Sequence, residues 1–150
     1  MSSPHVEQIT DGDTLIAVIL RRTFRQPGTH FFTPDDLSQQ LGYLNLPAGQ
    51  VIAPHTHAVA PRTVTRTQEV LVLLTGRLRV DFYASEQTYL ESRVLEQHDA
   101  VLLVSGGHGF EVLTPVEMLE IKLGPYQGPN ERVRFTAAPS ETIRIPGEAQ

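Results

Sequence analysis

The chain contains no cysteine. That excludes disulfides and thiolate metal sites from any account of its stability or chemistry, and it suits a reducing compartment. Long apolar runs are missing as well. The longest near the start covers residues 15–20, far short of the roughly 20 apolar residues that cross a bilayer as a helix. The first residues lack a basic stretch followed by an apolar run, so no secretory signal is read there. The expectation is a cytoplasmic protein without membrane contact. Basic charge is scarce: 12 Lys and Arg stand against 17 Asp and Glu, for a formal net charge of −5. That balance speaks against a general nucleic-acid binder. No helix-turn-helix pattern, fixed-period repeat or low-complexity tract is visible.

What is present reads as one globular domain. The chain has 150 residues, 40% of them hydrophobic and 19% charged, enough to bury a sizeable core without staples. Eleven glycines and eleven prolines punctuate short runs of Val, Leu, Ile and Thr, the pattern of a mostly β protein. Asp11-Gly12-Asp13 reads as a turn before a strand over residues 14–22. Residues 25–30 read as a loop, and Thr33-Pro34-Asp35-Asp36 as a short helical turn with Pro34 at its first position. Strands are predicted over 41–46 and 51–57, with Pro47-Ala48-Gly49 between them.

Residues 63–75 alternate. Thr63, Thr65, Thr67, Glu69, Leu71 and Leu73 share one face, and Val64, Arg66, Gln68, Val70, Val72 and Leu74 the other. Gly76-Arg77 reads as a turn into a strand over 78–83, with Leu78, Val80 and Phe82 on one side. Further strands are expected over 100–104, 108–113 and 118–123, the last two separated by Thr114-Pro115. Beyond Gly124 the sequence turns polar and proline-rich. It reads as an arm packed on the barrel or on a neighbouring subunit, or as partly disordered. Three stretches follow from this texture: 1–40 packing on a core, the core itself at 41–125, and the arm at 126–150. The apolar row Val70, Val72 and Leu74 lies opposite Glu69 and needs cover, from a second layer or from the partner in a homodimer.

Four residues stand out as metal ligands. In Pro54-His55-Thr56-His57 the two imidazoles are two apart and project together from a strand. Imidazole suits Zn, Fe, Ni and Cu, and Mn when carboxylates join it. Taken alone, the pair reads equally well as surface histidines. Glu69 lies at the head of an apolar run, where a carboxylate is costly unless paired or metal-bound. His108 shares strand parity with Phe110 and Val112. The plainer alternative pairs Glu69 with Arg66 at a barrel rim and leaves His108 in a loop.

The series Gly49, five residues, His55-Thr56-His57, a spacer, Glu69, six residues, Gly76 resembles the first motif of the cupin superfamily. Residues 99–108 resemble the second. The wider chain is similar to small bacterial cupins of unassigned activity. The resemblance implies an all-β, single-domain jelly-roll β-barrel with little helix. It also implies one divalent transition metal (Fe, Mn, Ni or Zn) on His55, His57, Glu69 and His108. His98 is an alternative ligand, though it reads better as a turn residue. The spacer of 11 residues between His57 and Glu69 brings in Arg62 and Arg66. Either is suited to an anionic substrate through paired hydrogen bonds, or is simply solvated. Glu120 and Lys122 read as a surface pair or as an acid and base lining a polar barrel, and Tyr126 as a hydroxyl at its mouth. Two functions follow as expectations. One is a metal-dependent enzyme acting on a small polar or anionic molecule such as a sugar derivative, by isomerase, epimerase or oxygenase chemistry. The other is a non-catalytic ligand-binding or sensing module with a structural or ligand-anchoring metal.

Overall fold

Val, Ile and Leu at alternating positions build one bent sheet. In the computed structural model, which describes residues 4–147, the strands are Val6–Asp11 (β1), Thr14–Leu20 (β2), Gly28–Phe31 (β3), Gly42–Asn45 (β4), Glu69–Tyr83 (β5), Tyr89–Leu95 (β6), Ala100–Leu103 (β7) and Gly107–Lys122 (β8). Two short 3₁₀ turns, Pro129–Glu131 and Ser140–Thr142, are the only helical pieces among the described residues. No helix there is long and apolar enough to cross a membrane. β1 and β2 form an antiparallel hairpin, with Gly12 supplying the positive φ of its turn. The main sheet runs β1-β2-β7-β5-β6, and β8 joins the opposite edge of β5 along its whole length. β3 and β4 pair separately.

The sheet is strongly curled. β5 pairs with β7 through residues 69–72 and with β6 through residues 78–83. Between these stretches its register against β8 shifts repeatedly, as expected where bulges bend a strand. Gly76 sits in this bend at φ 83. A Cβ there would overlap the carbonyl oxygen of Pro115 on β8, so the close crossing of the two strands requires glycine. The sequence suggested a chain reversal at Gly76-Arg77 and a break at Thr114-Pro115. Instead both strands continue through, folded over together.

The inside of the curl holds the larger core. Ala17, Ile19, Leu71, Leu73, Leu78, Val80, Phe82, Leu95, Val101 and Leu103 pack there with Ile9 and Ile16. Each of the Val, Leu, Ile and Phe side chains among them contributes about 1.5–3 kcal/mol on burial. On the outer face Val18, Val70, Leu102 and Val104 pack against Leu41, with Phe32, Leu37 and Val72 at the margin. For Val70 and Val72 the cover thus comes from the chain's own Phe32, Leu37 and Leu41; Leu74 is not part of that cluster. Residues 32–41 form turns rather than a helix.

Ionic contacts hold the sheet's two far strands together. The Glu7 carboxylate on β1 accepts from Arg93 on β6 at 2.7 Å and from Arg21 at 2.6 Å. Arg21 also donates to Asp99 and to the Val94 carbonyl. Asp99 is almost fully buried, and it also accepts from the backbone N–H groups of Arg22 and Glu96. A charge so buried is tolerable because each carboxylate oxygen has a donor.

Of two stretches read as extended, residues 51–57 form no strand and residues 63–75 form one only from Glu69 onward. Residues 51–57 and 63–68 have no ladder partner, and residues 47–67 are exposed throughout. Pro54 removes a backbone donor, and neither stretch meets a strand that would order it. β6 carries Tyr89, Glu91 and Arg93 among its apolar residues, which masks it in the sequence. The C-terminal arm lies against the β5–β6 end. Phe135 stacks edge-on to Tyr83, the Tyr83 hydroxyl accepts from the Ala138 N–H, and Ser92 N–H donates to the Arg144 carbonyl.

Candidate functional site

Glu69 opens β5 on the inner face of the curl, opposite Lys122 at the far end of β8. His108 stands at the other end of β8, opposite Phe82. The fold of the ribbon brings these ends together, so that His108 Nε2 lies 3.4 Å from Glu69 Oε2. Lys122 Nζ lies 3.3 Å from Glu69 Oε1 and 3.3 Å from Glu131 Oε2 in the arm. The Thr67 hydroxyl donates to the second Glu131 oxygen at 3.4 Å. Glu131 Oε2 is buried and makes no hydrogen bond, so it is held by the charge of Lys122. Lys122 is the chain's single lysine.

The charges shift one another in a consistent sense. Contact with the His108 ring, opposed by burial and reinforced by Lys122, holds the Glu69 carboxyl below its ordinary value of 4.5. Desolvation draws the Lys122 ammonium down, but Glu69 and Glu131 outweigh it and hold it above its ordinary 10.5. Glu69 is therefore ionised across the neutral range, as a metal ligand or an anchored counter-ion must be.

Beside this cluster lies an open cavity of roughly 550 Å³, within the size range of small-molecule sites. Tyr83, Gly107, His108 and Gly109 form one wall, and Glu131, Arg132, Arg134 and Phe135 of the arm face them. Gly107 and Gly109 keep the strand backbone open on either side of His108. At Gly107 a Cβ would press into the Phe135 ring.

The structure brings half of the proposed ligand set together. Glu69 and His108 meet. His55 and His57 are exposed on the unpaired segment, their rings 5.4 Å apart, with His55 Nδ1 3.0 Å from the Ala53 carbonyl. Among the described residues no three His, Asp or Glu side chains form a group able to hold a metal ion. In this conformation the four do not fit one ion. Glu69 pairs with His108 and Lys122, not with Arg66. Arg62 is exposed, and Arg66 lines a shallow recess with Asp36, Thr63 and Gln68. Glu120 lies opposite Leu71 on the inner face of β8 and is exposed. Tyr126 is 76% exposed beyond the cis peptide bond Gly124–Pro125. His98 sits at φ 71 in the turn before β7, where its N–H donates to the Leu73 carbonyl.

Sequence reasoning missed Glu131, Arg132 and Arg134. Their only signal was charge in a polar tail, and nothing in the spacing says that the tail folds back over His108. Compared with protein-family models, with curated proteins and with solved structures, the chain matches none.

Proposed function

We propose that this protein is a metal-binding barrel of the cupin kind that takes a small polar or anionic molecule into the cavity beside His108. The observation that carries the reading is the convergence of Glu69 and His108 at 3.4 Å from opposite ends of one ladder. A carboxylate and an imidazole placed on a curled sheet are half of a mixed N/O site. His55 and His57 supply the remaining donors once the exposed segment closes. Arg132 and Arg134 on the opposite wall give the cavity its preference for an anion, such as a sugar acid or a phosphorylated sugar. Isomerase, epimerase or oxygenase chemistry is the class this reading favours.

A second reading rests on Lys122. It already pairs with both carboxylates of the cluster, which ties β5, β8 and the arm together and supports a binding module without turnover. The two separate by experiment. Tag-free protein is loaded with Mn, Fe, Ni or Zn, and bound metal is counted in the wild type and in Glu69→Ala and His108→Ala. Turnover of candidate sugar derivatives is then scored in the same preparations. Metal uptake lost in both variants supports the site. A ligand that raises the melting temperature but is recovered unchanged favours the binding module.

A further inference from the structure

Glu131 is oddly placed for an acid in a polar arm. Its side chain is 11% exposed, and its Oε2 is buried without a hydrogen bond. Buried polar atoms are normally satisfied, so this one calls for a reason. Lys122 Nζ stands 3.3 Å from Oε2, and the Thr67 hydroxyl donates to Oε1 at 3.4 Å. Well-formed bonds of these kinds measure about 2.7–2.9 Å, so the carboxylate sits loosely. The described residues lining the cavity of roughly 550 Å³ include Glu131 but neither Lys122 nor Glu69. The Glu131 carboxylate thus stands between the cavity and the ammonium. Among the described residues, no other side chain of 124–134 makes a hydrogen bond or ion pair with the sheet. The flanks leave room for movement. Gly128 lies at φ 90 with open space on its Cβ side, and the next anchor of the arm is Phe135, edge-on to Tyr83.

We infer that Lys122 and the Thr67 hydroxyl form a carboxylate-binding subsite of this cavity, and that the Glu131 carboxylate is an internal stand-in which a ligand's carboxylate displaces. The inference rests on the reading of the cavity as a small-molecule site, and it needs no metal. The seat selects a carboxylate. Glu131 itself shows that a planar group offering one oxygen to Lys122 and one to Thr67 fits there. Glu69 Oε1 lies 3.3 Å from the same ammonium and already takes part of its charge. A phosphate monoester carries about −1.5 to −2 at neutral pH, so Glu69 repels it more than it repels a monoanionic carboxylate. A ligand also gains contacts that Glu131 lacks, because His108, Arg132 and Arg134 line the same cavity and guanidinium groups bind carboxylate oxygens well. Displacement relieves the unsatisfied oxygen besides. The tethered carboxylate competes at an effective concentration on the order of millimolar. It therefore turns away simple anions and yields only to a ligand whose other groups reach the cavity wall, which makes it a specificity device.

Calorimetric titration of tag-free protein with D-gluconate, glucose 6-phosphate and acetate tests this, with folding checked by melting and bound metal counted in each sample. Glu131→Ala empties the seat, and Glu131→Gln removes the charge while keeping the side-chain volume. Both are expected to bind gluconate roughly tenfold or more tighter than wild type, as release of an occupant present about nine times in ten requires. Adding Lys122→Met to Glu131→Ala should abolish that gain, and adding Lys122→Arg should keep most of it. Acetate should bind measurably only in the Glu131 variants. Glucose 6-phosphate should gain less than gluconate. A gain as large for the phosphate, which a general relief of negative charge would produce, would overturn the carboxylate seat. Gluconate binding that ignores Glu131 and Lys122 but is lost in His108→Ala would sink the subsite and leave the cavity reading standing. Binding that follows Glu131 and Lys122 with no metal retained would uphold the subsite and sink the metal reading. No saturable binding of any probe to folded Glu131→Ala would overturn the subsite.

Discussion

His108 Nε2 lies 3.4 Å from Glu69 Oε2 although the two residues belong to opposite ends of the β5–β8 ladder. On a straight ribbon, at about 3.3 Å per residue, those ends would stand roughly 40 Å apart. The contact is therefore a product of the bend at Gly76, and the site and the fold share one cause.

Gly76 is accordingly a residue at which even one added methyl group does damage. Alanine there adds a left-handed φ penalty of about 1–2 kcal/mol and a clash with the Pro115 carbonyl that only backbone movement relieves. Gly76→Ala is expected to lower stability by about 2 kcal/mol or more, read as a shift of the urea midpoint. A midpoint unchanged within experimental error would mean that the bend does not need glycine.

The Glu7 bridge between β1 and β6 predicts an acid-sensitive fold. Burial raises the Glu7 carboxyl, but hydrogen bonds from Arg21 and Arg93 outweigh it, so it is held below 4.5. Glu69 is lowered as well. A depressed carboxyl contributes stability that is present above its unfolded value and lost as pH falls through its folded value. Stability should hold from neutral pH down to about 4.5 and fall below it. Glu7→Gln should cost about 1–2 kcal/mol at pH 7, discounted for partial exposure, and flatten the acid limb. An acid limb of unchanged slope in that variant would remove Glu7 from the account.

Lys122 offers a direct view of the cluster because it is the only lysine. Reductive methylation with ¹³C-formaldehyde labels it and the chain's α-amine alone. Its methyl signal should titrate above the ordinary 10.5, and that elevation should shrink in Glu69→Gln. If metal takes Glu69, adding it should move the signal, and Lys122→Met should bind metal more tightly by freeing the carboxylate. A signal indifferent to Glu69→Gln would show that the ion pair does not persist in solution.

Much of this architecture is legible in the residues, and the failures are physical. Strand β7 reads directly as an apolar run, and the inward set Leu78, Val80 and Phe82 follows from period two. β1 and β6 escape notice because their charged residues face each other across the closure (Glu7 against Arg93) and look like solvent-facing positions. Residues 51–57 have strand-like composition, yet a strand exists only when its hydrogen bonds find a partner, and periodicity carries no information on that. Glu69 and His108 were singled out from a costly carboxylate and a shared parity. The arm residues were not, because a polar tail gives no sign of where it folds back.

The central claim is tested most directly by counting metal. Tag-free wild-type protein, saturated in turn with Mn, Fe, Ni and Zn and then desalted, should retain about one ion per chain for at least one metal. Retention should collapse in each of Glu69→Ala, His108→Ala and His55→Ala. Retention near the buffer blank for every metal, in folded wild-type protein at neutral pH, would contradict it.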